Sequence, residues 1–436
     1  MIEAAPATGL AGVIALLALL VLGVPIGVAL GLVGVVGLTL VLGPEAALIK
    51  AGVVLFETAT SYPLGTLPLF LLMAHLCFSA NASRDIFDTA AAFVGHRRGG
   101  LAISSVGGCA AFGAVNGSSL ATAATIGMVA LPEMKRRGYS DALATGSVAA
   151  GGTLGQMIPP SGALIVFGII AEQSIGRLFT AAIIPGLTQM ALYFTVIWLM
   201  VRIRPDLAPA SERKPWRERL QALRKVIDIL GLILLVIGGI SLGWFTPTEA
   251  ASIGAAGALI ILAWRRRLNG QVLYNALEET LRTSGLIYLI IVGALAFSVF
   301  VSVTGLADAA AQLITGMNAG KIATLFAIAV FLLLLGSVLD GLALMLLTTP
   351  ILLPIVTGLG MSPIWFGIFL VRAMEIGFIH PPIGINLYVI QRIAGDISLG
   401  RIFKGVLPFL AADFLHLSLL ILFPAIALWL PLWLGQ

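Results

Sequence analysis

Charge is what this sequence has least of. Only 10% of its 436 residues are Asp, Glu, Lys or Arg, against roughly 25% in an average soluble protein. So few charged side chains cannot clothe a water-soluble particle of this size. Cysteine is nearly absent. Cys77 and Cys109 are the two, too few for a disulfide framework or a thiolate metal site, and both sit in apolar surroundings as small buried hydrophobes. The four histidines, His75, His96, His380 and His416, are dispersed and no His-Glu-x-x-His occurs, which argues against a histidine metal cluster. No Gly-x-x-x-x-Gly-Lys-Ser/Thr loop is present, so ATP hydrolysis has no support. Ser161 has no evident His and Asp partners for serine hydrolysis. Aromatic residues do not interleave with a basic stripe, so the net charge of +5 does not point to a nucleic acid. An enzyme is not expected.

What is there is apolar. Hydrophobic residues make up 59% of the chain and the mean hydropathy is +1.07, the profile of an all-α polytopic membrane protein. With about 20 residues per span the chain has room for about ten to twelve. The start, MIEAAPATGLAGVIALLALLVLGVPIG, lacks a basic n-region and a small-residue cleavage site, so a signal peptide is not expected. Residues 202–225 hold eight basic and three acidic side chains, a net +5 as large as that of the whole chain. This linker belongs in the cytoplasm, and Arg265, Arg266 and Arg267 return the chain there. Trp429 and Trp433 are candidate anchors at the lipid interface.

Several apolar segments are interrupted. Residues 9–42 are too long for one simple crossing and are broken by Gly23 and Pro25. Pro63 and Pro68 predict a bend within 51–80, and 81–98 reads as a solvent-facing connection. Residues 99–130 are crowded with Gly, Ser, Thr and Asn, including Asn116, Gly117, Ser118, Ser119, Thr122 and Thr125. Such residues favour turns and helix starts, and irregular backbone is tolerated at membrane depth only beside protein or a cavity. A re-entrant hairpin with its tip at 116–119 is expected. The motif GGTLGQMIPPSG predicts an unwound helix at Pro159-Pro160. Residues 183–201, opened by Pro185, read as an ordinary span, and spans are expected near 226–243, 248–264 and 281–303.

One spacing recurs. Pro132, Gly138, Gly155, Pro159, Pro160 and Gly162 are matched in order by Pro354, Gly360, Gly377, Pro381, Pro382 and Gly384, every pair at the same offset along the chain. Interrupted segments in corresponding positions of two halves place a transport site at the repeat interface. The expected organisation is N-terminal scaffold helices at 1–50, a first repeat at 51–201, the basic linker at 202–225, a scaffold helix pair at 226–267 outside the repeat, and a second repeat at 268–436. Inverted repeats are the favoured arrangement.

The chemistry follows from these breaks. Helix N-termini attract anions, while free carbonyls with hydroxyl and amide oxygens suit a hard cation such as sodium. The counterpart of the first tip is 338–341, which contains Asp340, a carboxylate that is costly in a membrane. The elements around Gly155, Gln156, Pro159, Pro160 and Ser161, and around Gly377, His380, Pro381, Pro382, Gly384 and Asn386, offer unwound carbonyls. Arg372 and Glu375 are three apart and could pair on one helix face, or Arg372 could meet a substrate carboxylate. His380 reads either as a proton carrier or as packing beside Pro381. Glu57 and Glu249 read first as helix-end residues.

At this point the chain resembles a known family. VPIGVALGLVG, NGSSLATAATIGMVALPEMKRRGY, GGTLGQMIPPSG, the Asp340 segment and the element at 377–384 occur in the order found in the large membrane subunit of tripartite ATP-independent periplasmic (TRAP) transporters. The resemblance implies an elevator-type secondary transporter of the bacterial inner membrane, with two inverted repeats, each giving a hairpin and a discontinuous helix to a mobile domain. It implies sodium-coupled import of a small organic acid anion. It also implies two partners, a periplasmic substrate-binding protein and a separate small subunit of about four helices. Sodium is the coupling ion and no other cofactor is implied. Candidate cation-binding residues are Asn116, Gly117, Ser118, Thr122, Gly155, Pro159, Asp340, Gly377 and Pro381. Candidate substrate-binding residues are Ser119, Ser161, Arg372, His380 and Asn386. The family usually has Ser or a similar small residue where this chain has Asn116, and Thr or Ser where it has His380. The competing readings are a single-component ion-coupled anion transporter, a passive facilitator and a non-transporting membrane scaffold.

Overall fold

A computed structural model describes residues 5–316, 320–337 and 339–436. They form twenty α-helices and no strand. The first half runs α1 (Ala5–Val21), α2 (Ile26–Leu42), α3 (Pro44–Thr60), α4 (Thr66–Ser79), α5 (Ala82–Val94), α6 (Gly100–Asn116), α7 (Ser119–Arg136), α8 (Asp141–Met157), α9 (Gly162–Ile170) and α10 (Ile175–Ile203). The second runs α11 (Trp216–Ser241), α12 (Pro247–Trp264), α13 (Gly270–Thr304), α14 (Leu306–Gly316), α15 (Lys321–Gly336), α16 (Gly341–Gly358), α17 (Pro363–Ile379), α18 (Ile385–Ala394), α19 (Leu399–Leu422) and α20 (Ala425–Trp433). Among the described residues six helices are long and apolar enough to cross a membrane, and the bent pair α8–α9 makes a seventh. The apolar helices α1, α2, α6 and α15 are shorter. The chain is a multi-pass membrane protein.

Shifted by the offset of the Gly and Pro landmarks, α7 coincides with α16 and α8 with α17 from end to end, and α2 falls on α12 with only its start displaced. The pair α11–α12 therefore belongs to the repeat, contrary to the expectation that it lies outside. Apolar helices without paired Gly or Pro landmarks left no spacing to read. The halves differ where α3 and α4 face a single 35-residue helix, α13, and at α20, which has no matching α-helix in the first half.

The repeats are inverted. Thr66 and Thr248, in the first turns of α4 and α12, share a hydroxyl hydrogen bond of 2.7 Å. At the other end Arg265 donates to the Ala80 carbonyl at 2.9 Å. So α4 and α12 run side by side toward the arginine-rich edge. Arg265 fastens that edge further through Asp85 and Asp228, each at 2.7 Å. α13 starts shortly after Arg265 and runs away from it. α2 runs parallel to α13, with Gly27 against Ile290 and Gly34 against Ala296. A Cβ on Gly293 would lie 2.2 Å from the Gly27 carbonyl oxygen, so small residues let these backbones touch. The equivalent pairs thus point in opposite directions, and each joins a helix of one half to a helix of the other.

Local chemistry explains the remaining elements. Gly23, at φ +82°, and Pro25 split the first apolar run into α1 and α2. The segment at 81–98 is more than a solvent-facing connection. Its helix α5 buries Ile86, Phe87 and Ala92 and bonds α11 through Thr89 to the Ala222 carbonyl at 2.9 Å. The basic linker is extended only in part, because α11 begins at Trp216. α10 starts earlier than 183, where Ser174 accepts from the Arg177 amide, and Pro185 lies inside it.

Candidate functional site

Two hairpins, α6–α7 and α15–α16, press their tips against the breaks of two discontinuous helices, α8–α9 and α17–α18. At the first tip α6 ends at Asn116, Gly117 turns the chain in the left-handed conformation at φ +63°, and Ser118 caps α7 by accepting from the Ala121 amide. The tip lies on Pro159-Pro160, where the Gly162 amide donates to the Gly117 carbonyl at 3.4 Å. Only glycine suits position 117 on both grounds, since a Cβ there would also lie 2.7 Å from the Pro160 oxygen. Gly155 is as tightly placed. Its Cβ would meet the Thr122 hydroxyl at 2.5 Å and the Ser118 carbonyl at 2.9 Å. The Thr122 hydroxyl oxygen is buried and has no hydrogen-bond partner among the described residues.

This arrangement gathers carbonyl oxygens of Gly117, Ser118 and Pro160 and an unsatisfied hydroxyl beside two helix N-termini. Such a set of hard oxygens fits an alkali cation, and the two helix N-termini fit an anion. Beside it a pocket of about 160 Å³ is lined by Asn116, Gly117, Ser118, Gln156 and Pro160 on one side and by Phe70 of α4 and Thr283 of α13 on the other.

The second tip is built alike on the backbone and differently in its side chains. α15 ends at Gly336, and a Cβ on Gly377 of α17 would lie 2.7 Å from the Gly336 oxygen. Val338, part of the expected tip, lies outside the described residues. Asp340 caps α16 by accepting from the Leu342 amide at 3.2 Å and is exposed. A carboxylate at a helix start is favoured by the helix dipole. The break at Pro381-Pro382 is closed by the Gly384 amide donating to the His380 carbonyl at 2.9 Å.

The candidate substrate residues are placed less simply. Ser161 is buried and caps α9, accepting from the Leu164 amide at 3.3 Å. Ser119 is buried and accepts from the Asn386 amide group at 3.0 Å, across the two halves. His380 packs edge-on against Phe414, with an unpartnered Nδ1. Arg372 is fully buried and forms its ion pair with Asp413 of α19, not with Glu375 as the three-residue spacing suggested. Asp413, facing Arg372 from another helix, outcompetes a neighbour on the same face. None of these five residues lines the pocket beside the first tip.

Residues that sequence reading left out surround that ion pair. The buried Tyr193 hydroxyl is 3.0 Å from the Thr153 hydroxyl and accepts from Gln189 at 2.8 Å. His416 meets the Thr188 hydroxyl at 2.9 Å. The available signal was an Asp and a His three apart within the otherwise apolar run of α19.

Comparison with known proteins agrees with this architecture. Residues 13–426 match the family described as tripartite ATP-independent periplasmic transporter, DctM component. The chain is 36% identical to the C4-dicarboxylate TRAP transporter large permease protein DctM of Pseudomonas aeruginosa, covering 93% of this chain and 94% of that one. It is 34% identical to the isethionate TRAP transporter permease protein DctMQ of Oleidesulfovibrio alaskensis, covering 93% of this chain and 64% of that one. Among solved structures, the YdaH transporter of Alcanivorax borkumensis shares the fold with a TM-score of 0.58 at 16% identity, over 90% of this chain and 89% of that one. A family hit spanning nearly the whole chain, with relatives named as large permeases, makes this a transport protein and not an enzyme: it belongs to the DctM component family of the TRAP transporters.

Proposed function

We propose that this chain imports a small organic acid anion across the bacterial inner membrane, driven by a sodium gradient. The observation that carries the reading is the first tip, where Gly117 is packed against the Pro160 carbonyl and Gly155 against the unsatisfied Thr122 hydroxyl. Sodium held there satisfies Thr122 and fixes the hairpin on the broken helix, which orients the N-termini of α7 and α9 toward an anion. Asn116, Gly117, Ser118, Thr122, Gly155 and Pro159 serve this site. Asp340, Gly377 and Pro381 serve its counterpart in the second half. Tips and broken helices move together as an elevator against a scaffold that includes α2, α4, α12 and α13, and differential affinity in the two positions couples ion to anion.

The named relatives support the choice of partners. A C4-dicarboxylate permease relative supports a carboxylate substrate. A relative named DctMQ, of which this chain covers 64%, supports a second membrane component, a small four-helix subunit. A periplasmic binding protein delivers the substrate. The arginine-rich edge at Arg265–Arg267 faces the cytoplasm.

The test is uptake into proteoliposomes containing the chain with its small subunit and binding protein, using labelled organic acids. Accumulation under an inward sodium gradient, absent under potassium, is expected. Accumulation without a binding protein would make it a single-component transporter. Equilibration without accumulation would make it a facilitator.

A further inference from the structure

Between the first hairpin and the second broken helix lies a polar cluster sealed from solvent. Arg372, Glu375, Asp413 and Asn386 are all fully buried. Arg372 and Asp413 form an ion pair, so their charges cancel. The remaining guanidinium nitrogens, Nε and Nη1, make no hydrogen bond, so Arg372 does not reach Glu375. Glu375 is left over. Among the described residues neither of its carboxylate oxygens has a hydrogen-bond partner of good geometry, and its polar neighbour is the Ser119 hydroxyl. Ser119 accepts from Nδ2 of Asn386 at 3.0 Å, while Oδ1 of Asn386 is buried and unpartnered.

The orphaned atoms on the Ser119 side of this cluster are acceptors. They comprise two carboxylate oxygens and one amide oxygen, with a hydroxyl beside them. A buried carboxylate whose polar neighbour is a single neutral hydroxyl and which has no counter-ion of its own is strongly disfavoured in its charged form, more so inside a membrane. The Asn386 amide nitrogen is spent on Ser119, which leaves the Ser119 hydroxyl as the neutral group beside Glu375. Hard oxygen ligands select hard cations, and one unbalanced negative charge is matched by one monovalent ion.

We propose that Glu375, Ser119 and Asn386 form a sodium site at the seam between the repeats, additional to the sites at the two tips. The proposal rests on the sodium-coupled reading of the chain and deepens it. The three ligands come from different elements. Ser119 opens α7, Glu375 lies in the last turns of α17 and Asn386 lies in the first turn of α18. An ion here ties the first hairpin to the broken helix of the other half, so occupancy at one tip is felt at the other.

The experiment uses the reconstituted complex with its small subunit and binding protein. Sodium ions per substrate are obtained from the zero-flux potential of uptake, and sodium affinity from thermal stabilisation in sodium chloride against potassium chloride. Glu375→Gln is expected to lower the ion count by one. It should also weaken sodium affinity at least roughly tenfold, since even outer-shell partners of metals cost that much when removed. Glu375→Asp keeps the charge and is expected to keep the count with a right-shifted stabilisation curve. It also serves if the Gln variant fails to assemble. Wild-type count and affinity in Glu375→Gln, or an unshifted curve in Glu375→Asp, would overturn the site. An unchanged sodium count with a lost dependence on pH would assign Glu375 to a proton and overturn it too. No sodium dependence in the wild type would remove the coupling reading itself, a different failure.

Discussion

The two halves hold the same backbone and different chemistry. At the first tip the turn is neutral, with Asn116, Gly117 and Ser118, and the helix it seats on carries Ala150 and Thr153. At the equivalent positions of the repeat, the second half has Leu339 and the exposed carboxylate of Asp340 at the tip, and the buried charges of Arg372 and Glu375 on the helix. Glycine contacts persist where the hairpins meet the broken helices, at Gly155 and at Gly377. Duplication preserved the positions that shape the backbone and freed the side chains to divide the work. On the proposed reading the first half offers ions mainly carbonyls and hydroxyls. The second adds fixed charge.

That comparison can be broken at Asp340. Asp340→Ala is expected to abolish sodium-driven accumulation while the complex still assembles, as read by labelled uptake and size-exclusion chromatography. Normal sodium-dependent uptake by the variant would remove the special role of the second tip. Next in size is the buried ion pair. Arg372→Ala leaves Asp413 as an uncompensated buried charge and should cost about 3–5 kcal/mol of stability, seen as a lower unfolding temperature in detergent. Replacing both partners with leucine should cost less than the single change. Equal losses would show that the pair contributes nothing as a pair.

Smaller changes sharpen the picture at the first tip. Thr122→Val removes the orphaned hydroxyl at nearly constant volume. It should weaken sodium activation of uptake by about tenfold, in line with the loss of one metal contact, with little change in unfolding temperature. An unaltered sodium dependence would place the ion elsewhere. The smallest effect is expected far from either tip. The Thr246 hydroxyl caps α12 in a reciprocal pair with Glu249, and Thr246→Ala should cost about 1 kcal/mol of stability and leave sodium activation untouched.

The hairpin tips and helix breaks were legible because glycine and proline act on the backbone locally. Gly117 and Pro159-Pro160 mark their positions without reference to any partner. The inclusion of α11 and α12 in the repeat was not legible, because apolar helices can match in place and direction without matching in residue type. The true partner of Arg372 was hidden for another reason. Asp413 lies far along the chain on a different helix, while Glu375 offered a plausible local partner. The Ser119–Asn386 bond joins two residues that are equally remote in sequence, and nothing local announces such a contact.

The central claim is that sodium holds both tips on their broken helices. Hydrogen exchange of the reconstituted complex, compared in sodium and potassium at equal ionic strength, tests it most directly. Amides at 116–121 and at 339–344 are predicted to be protected by sodium and not by potassium, with the rest of α7 and α16 unchanged. Equal exchange at both tips in the two salts would contradict the account.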